Sequence, residues 1–144
     1  MVSVTAVEHV ITKLARADCL ALLPSVRVGR VVFTHHALPA IRPVNFVVDD
    51  GDIVVRTGKG SALAAATGDA IVAFEVDEID VEKETGWSVV VIGLAQQIVQ
   101  PDIIDRMSIR VKPWGAPPQR EDFFVRIRTE LVSGRRIAQA NESD

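Results

Sequence analysis

The chain has 144 residues, 48% of them apolar and 24% charged, with a formal net charge of −3. That length supports one hydrophobic core, the balance is that of an ordinary globular domain, and the charge supplies no basic field for nucleic acid. No apolar run approaches the ~18 residues of a membrane span, and the single Cys19 excludes an internal disulfide and a Cys-rich zinc site. Glu8, His9, Lys13 and Arg16 interrupt any apolar core of a secretory signal, so the expected location is the cytoplasm.

The pattern predicts an N-terminal helix within residues 1–24. Val7, Val10, Ile11, Leu14, Ala15, Leu20 and Leu23 recur near helical spacing over 5–23, Thr5 and Glu8 have capping-box spacing, and Pro24 ends the run. Cys19 in this segment reads as a small buried residue, with no neighbouring His to activate it. Val26 to His36 predicts a strand, Ala37-Leu38-Pro39 a turn, and Ala40 to Val48 the return strand. Asp49-Asp50-Gly51-Asp52 is a hairpin signal leading into a third strand, Ile53 to Arg56. A short helix over 61–67 follows, closed by Gly68-Asp69.

Ala70 to Asp77 predicts a nearly all-apolar, central strand. The acidic string Glu75, Asp77, Glu78, Asp80, Glu82, Glu84 lacks the ligand spacing of a calcium loop and reads as a solvated edge and loop. Trp87 to Val99 predicts a long strand, with Gly93 marking a bulge or a close backbone approach. Pro101 to Met107 is a short helix, 112–119 a Pro/Gly loop carrying Trp114, and 122–137 the last strand or strands. Ser133 to Ile137 reads as a turn exposing Arg135 and Arg136, and 141–144 as a flexible tail. With about six or seven strands and a few short helices, the expected class is α+β, mainly β: one barrel-like domain over 1–144.

Chemistry concentrates in Arg56-Thr57-Gly58-Lys59-Gly60-Ser61-Ala62-Leu63, between a strand and a helix. Glycines let backbone approach an anion, Arg and Lys add full charge, and helix-start N–H groups point outward. It is not a Walker A loop, since Ile53 holds the place of its first glycine. A solvated turn with two surface cations is the competing reading. His9, His35 and His36 lie on separate elements without a carboxylate or cysteine at diagnostic spacing, so no metal site is assigned. Trp114 reads equally as a cover for a planar ring or as a loop anchor. No nucleophile–base pairing is supported, and no catalytic residue is assigned.

Several segments in order carry a resemblance. They are Val28-Gly29-Arg30-Val31, Pro43-Val44-Asn45-Phe46, Asp49 to Leu63, Ala73 to Asp77, Gly86 to Ala95, and Ser133 to Ile137. Together they resemble the pyridoxamine 5'-phosphate oxidase-like family of flavin-binding split β-barrels. The resemblance implies an antiparallel split barrel of six or seven strands with short flanking helices. It also implies a homodimer with a flavin in the groove between subunits, and a small-molecule substrate reached by hydride transfer through the flavin ring. The cofactor implied is FMN or, in one branch, the deazaflavin coenzyme F-420; a few members bind haem or have no known redox role, and a non-enzymatic flavin-binding or sequestering dimer is the further alternative. By position, Arg56 and Thr57 would meet the ribityl phosphate, completed by Gly58, Lys59, Gly60, Ser61, Ala62 and Leu63. Pro43, Val44 and Asn45 would line the ring, Arg42 would reach ring or phosphate, and Trp87 would lie near the dimer groove. Arg135 and Arg136 would lie near the dimer interface. Many relatives carry lysine where this chain has Ala62; either Lys59 replaces it or phosphate affinity is lower. Oxidation of pyridoxamine phosphate itself is disfavoured, for want of a second phosphate cradle.

Overall fold

The structure, a computed structural model, describes residues 7–140. Eight strands form among them: β1 (His9–Lys13), β2 (Val28–His35), β3 (Leu38–Asp49), β4 (Asp52–Thr57), β5 (Ala70–Asp80), β6 (Thr85–Gln97), β7 (Phe123–Ile127) and β8 (Leu131–Gln139). Three α-helices join them, α1 (Arg16–Leu22), α2 (Ala62–Ala66) and α3 (Pro101–Arg110), with a 3-10 turn at Leu23–Ser25. The sheet order β1-β8-β6-β5-β2-β3-β4-β7, with a further β6–β7 pairing, closes six strands into an antiparallel barrel and leaves β8 and β1 as an extension. The expected mainly-β split barrel is therefore present. Among the described residues no helix is long and apolar enough to cross a membrane.

Period-2 alternation fills the barrel. Val31 and Phe33 of β2, Val44 and Phe46 of β3, Val72, Phe74 and Val76 of β5, and Trp87, Val89 and Val91 of β6 meet Val125 and Ile127 of β7 inside it. Phe46 and Phe74 pack edge to face at 4.9 Å. Cys19 and Leu23 complete this core from the α1 end. Each such fully buried side chain contributes about 1.5–3 kcal/mol of apolar burial. Cys19 is buried, as expected, and burial pushes its thiol up, with the Asp18 charge adding to the rise.

β6 makes the split. It pairs with β5 from Thr85 to Ala95, while its other edge changes partner. Gly86–Ile92 pair with β8, and Ala95–Gln97 pair with β7. Gly93 stands at the change, where a Cβ would run into the Arg128 carbonyl. Arg128 N donates to Leu94 O at 3.0 Å across the same point. The close backbone approach expected at Gly93 is present, and its cause is the chain passing from β7 to β8.

The β2–β3 and β3–β4 hairpin turns use left-handed backbone. Asp50 and Gly51 have φ of 50° and 81°, as Asp-Gly turns require. His36 and Ala37 have φ of 51° and 63°, so the first turn lies there; Leu38 and Pro39, expected in the turn, belong to β3. Pro39 pairs with Thr34 where β3 has no β4 partner, the kind of edge proline needs.

The predicted N-terminal helix is corrected. Only Arg16–Leu22 is α-helical, and His9–Lys13 is a strand pairing with Gln139–Arg135 of β8. The β8 edge offers unpaired N–H and C=O groups, and the run Val10-Ile11-Thr12 is β-branched. The exposed Val10 and Ile11 fit the helical period only by coincidence with Leu14. Thr5, the cap expected for that helix, and the tail at 141–144 lie outside the described residues. Ser133 to Ile137 is likewise not a turn but the middle of β8, where β6 and β1 pair with it on either side. Arg135 and Arg136 are nevertheless exposed.

Candidate functional site

A cavity of about 210 Å³ opens beside the β4–α2 turn. Arg42, Pro43 and Val44 of β3 line it, with Arg56, Thr57, Gly58, Ser61, Ala62 and Leu63 from the turn. Pro113, Trp114 and Ala116 of the loop after α3 close the remaining side. Nine of the predicted positions thus converge. Lys59 and Gly60 are exposed on the same turn without lining the cavity. Asn45 also lies outside the lining; its Nδ2 donates to the Lys112 carbonyl at 3.3 Å and so holds the loop. Trp87 is only 8% exposed, belongs to the barrel core, and lines two other cavities with Thr85, Gly86 and Ile137. Arg135 and Arg136 also border those cavities and not the β4–α2 one.

The turn is organised by hydroxyls. Ser61 caps α2 by accepting from Ala64 N at 3.0 Å, and Ser61 N donates to Gly58 O at 3.1 Å. Thr57 Oγ1 and Ser61 Oγ are 2.9 Å apart. One hydroxyl hydrogen is used in that bond, and the other remains to donate. α2 has five residues, so its dipole is small and side chains carry the electrostatics. Neither Gly58 nor Gly60 has positive φ, and nothing lies within 4 Å of where a Cβ would stand at either. Fold geometry therefore demands neither glycine; what their missing side chains leave is open backbone in front of the turn. Among the described residues, Arg42 and Lys59 make no ion pair, and the Arg42 guanidinium donates to Ile41 O at 2.9 Å.

Arg56 differs from these cations. It is 6% exposed and its guanidinium is committed. Nε donates to Asp122 Oδ2 at 2.9 Å, Nη1 to the carbonyls of Ser108 and Val111 at 3.3 and 3.2 Å, and Nη2 to Gln119 O at 3.2 Å. Its carbon lies 4.9 Å over the Phe124 ring. Four of five N–H donors are thereby used. Strand parity is the reason. Ile53 and Val55 face the barrel interior, whereas Val54 faces a second core with Met107, Val111 and Phe124 under α3, and Arg56 shares that face. The unbroken run Ile53-Val54-Val55 signals a strand buried on both faces, and that was the sequence clue to Arg56. Its partner Asp122, 3% exposed, carried no such signal.

A second charged group lies on the outer face of the barrel. Arg30 Nη1 is 3.4 Å from both Glu75 Oε1 and Asp77 Oδ2. Burial pushes the Glu75 carboxyl up to about 7, with the hydrogen bond and charge of Asp77 adding and Arg30 opposing. These two members of the acidic string are half-buried strand residues, not part of a solvated loop. Far from them, Arg126 donates to Asp49 at 2.9 Å and, helped by Arg106, holds that carboxyl below its usual range. His35 and His36 stack at 3.9 Å on the first turn, and among the described residues no group of three or more His, Cys, Asp or Glu is arranged to hold a metal.

Residues 15–136 match the family described as pyridoxamine 5'-phosphate oxidase. Rv0080, an uncharacterised protein of Mycobacterium tuberculosis, is 43% identical over 132 residues, covering 88% of this chain and 86% of its own. Among solved structures, the FAD binding protein of Mycobacterium smegmatis is 32% identical with a TM-score of 0.68, covering 88% of this chain and 98% of its own. A conserved protein of unknown function from Corynebacterium diphtheriae is also 32% identical, with a TM-score of 0.70 and coverages of 89% and 98%.

Proposed function

Because the chain belongs to the pyridoxamine 5'-phosphate oxidase family, we propose that it is a homodimeric flavin-binding oxidoreductase acting on a small molecule, with FMN as coenzyme. The observation that carries this reading is the cavity beside the β4–α2 turn, with open backbone at Gly58 and Gly60 and two cations free of carboxylates. The coenzyme phosphate fits there, held by Lys59, Arg42, the spare hydroxyl hydrogen of the Thr57–Ser61 pair and turn N–H groups. Lys59, three residues before Ala62, supplies the charge that many relatives carry at the Ala62 position. Pro43, Val44 and Trp114 offer apolar walls to the ring. A bound flavin supplies hydride transfer; this chain's part is to orient the ring and exclude water from one side of it.

The second subunit is supported by size and by surface. A cavity of about 210 Å³ is below the roughly 300–1,000 Å³ of a complete ligand pocket, so another surface has to cover the rest of the flavin. Leu131, Ile92, Ala73, Val32 and Ile41 stand directly opposite one another across β8, β6, β5, β2 and β3, forming one apolar row on the outer face. Leu131 and Ile41 are 67% and 57% exposed. Rows of this kind mark association surfaces.

Equilibrium titration with FMN, FAD and the deazaflavin F-420, side by side, tests the coenzyme. FAD is included because the Mycobacterium smegmatis relative is an FAD binding protein. FMN is expected to bind, and Lys59→Ala to weaken it about ten- to hundredfold, the loss of one charge-assisted hydrogen bond of roughly 1.5–3 kcal/mol. Gly60→Ala is expected to melt no lower than wild type yet bind FMN more weakly. Unchanged affinity in both variants removes the anchor. Binding of F-420 alone moves the protein to the deazaflavin branch, and a bound flavin that no donor reduces makes it a carrier.

A further inference from the structure

We infer that Arg56 and Asp122 are positioning residues: together they fix the loop that carries Trp114 as one wall of the cavity, and Arg56 does not ligate the coenzyme phosphate. The loop leaves α3 at Val111 and enters β7 after Asp122. One guanidinium grips both of its ends, through the Val111 carbonyl on one side and Gln119 O with Asp122 Oδ2 on the other. Asp122 Oδ2 also accepts from Gln119 N at 2.9 Å, which closes the far end on itself. Asn45 adds a third tie at Lys112 O. Between these points, residues 113–118 make no hydrogen bond to the rest of the protein among the described residues, and from Trp114 onward they are exposed. The loop's shape is thus set at its ends and stiffened by Pro113, Pro117 and Pro118.

The energetics point the same way. A buried ion pair contributes little net stability over apolar residues of the same volume, because desolvation offsets its attraction; its distinctive effect is geometric. Here the geometry that it enforces is that of Pro113 and Trp114 against Pro43 and Val44. Trp114 is 53% exposed and lines the cavity, so it presents an indole to a planar heteroaromatic ring. That the ring is a flavin rests on the reading above; the grip of Arg56 on the loop does not.

Riboflavin separates the two roles for Arg56, since it has the ring and lacks the phosphate. Wild type, Asp122→Asn, Arg56→Met and Trp114→Ala are titrated with FMN and with riboflavin. Their native-state trypsin cleavage after Arg120, an exposed loop residue, is followed in parallel. A positioning role predicts that Asp122→Asn and Arg56→Met speed loop cleavage and weaken both ligands by the same factor. Trp114→Ala, at a side chain 53% exposed, should keep the wild-type melting temperature and lose about three- to tenfold for both, the scale of one aromatic contact. Unchanged loop cleavage in Asp122→Asn overturns the inference, and so does a loss in Arg56→Met confined to FMN. If Arg56→Met does not fold, Asp122→Asn and Trp114→Ala still decide. A wild type that binds neither flavin overturns the coenzyme reading, while the cleavage rates decide the grip on their own.

Discussion

Glu75 shows how one residue's setting alters its chemistry. On β5 it faces outward beside Asp77, with Arg30 opposite on β2, Ser88 and Val90 on β6 and Arg135 beyond on β8. Desolvation and the neighbouring carboxylate outweigh the single shared guanidinium, so its carboxyl is raised from 4.5 to about 7. For a raised folded-state value, the associated stability is fully present below pH 4.5 and is lost as pH rises through about 7. We expect the unfolding free energy to fall across that window in wild type and to be flatter in Glu75→Gln. Carboxyl chemical shifts against pH give the direct check, and a Glu75 midpoint near 4.5 would contradict the assignment. Glu75 lies in the row Ser133–Val90–Glu75–Arg30–Pro43, next to the apolar row and ending at the cavity, so its charge state bears on both surfaces.

At the scale of elements, β6 decides the architecture. A strand that serves β8 with one half of an edge and β7 with the other must let the connecting chain cross it, and Gly93 is where that happens. Gly93→Ala places a methyl against the Arg128 carbonyl, and the expected loss is about 3 kcal/mol, at the upper end of overpacking costs. A lowered urea midpoint with an unchanged slope would show it; a midpoint equal to wild type would mean that the crossing yields cheaply. Gly58 and Gly60 are the contrast, being glycines that the fold itself does not require. The same distinction divides the cations of the β4–α2 region: Arg56 is absorbed by structure, and Lys59 stays exposed.

For the whole molecule, the outward apolar row is the surface on which the proposed second copy would sit. Ile92, second in that row and 39% exposed, is flanked by Leu131 and Ala73. Ile92→Lys should leave the barrel folded, since the side chain points away from the core, and should turn a dimer into a monomer in sedimentation at equal concentration. A wild-type protein that sediments as a monomer refutes the dimer and leaves half of any flavin site unaccounted for. The β1–β8 extension belongs to the same surface, because Ile11 and Lys13 stand opposite Ile137 and Arg135.

Alternation of apolar residues, the Asp50-Gly51 turn and the order of motifs were enough to read an antiparallel split barrel and to gather most of the cavity lining from sequence. These are local properties: period, turn chemistry and spacing are written in neighbouring residues. What the sequence could not reveal is which partner each residue meets. His9–Lys13 is a strand because the β8 edge was free to receive it, and a free edge is not visible in the segment itself. Arg56 reads as an anion ligand until β4 is seen to be buried on both faces, with Asp122, sixty-six positions away, beneath it. Trp87 and Asn45, neighbours of the cavity by motif, are turned to the core and to the loop by strand parity. Local chemistry decided the elements and the glycine-rich turn; long-range pairing decided that Arg56 is spent on the loop while Lys59 stays exposed.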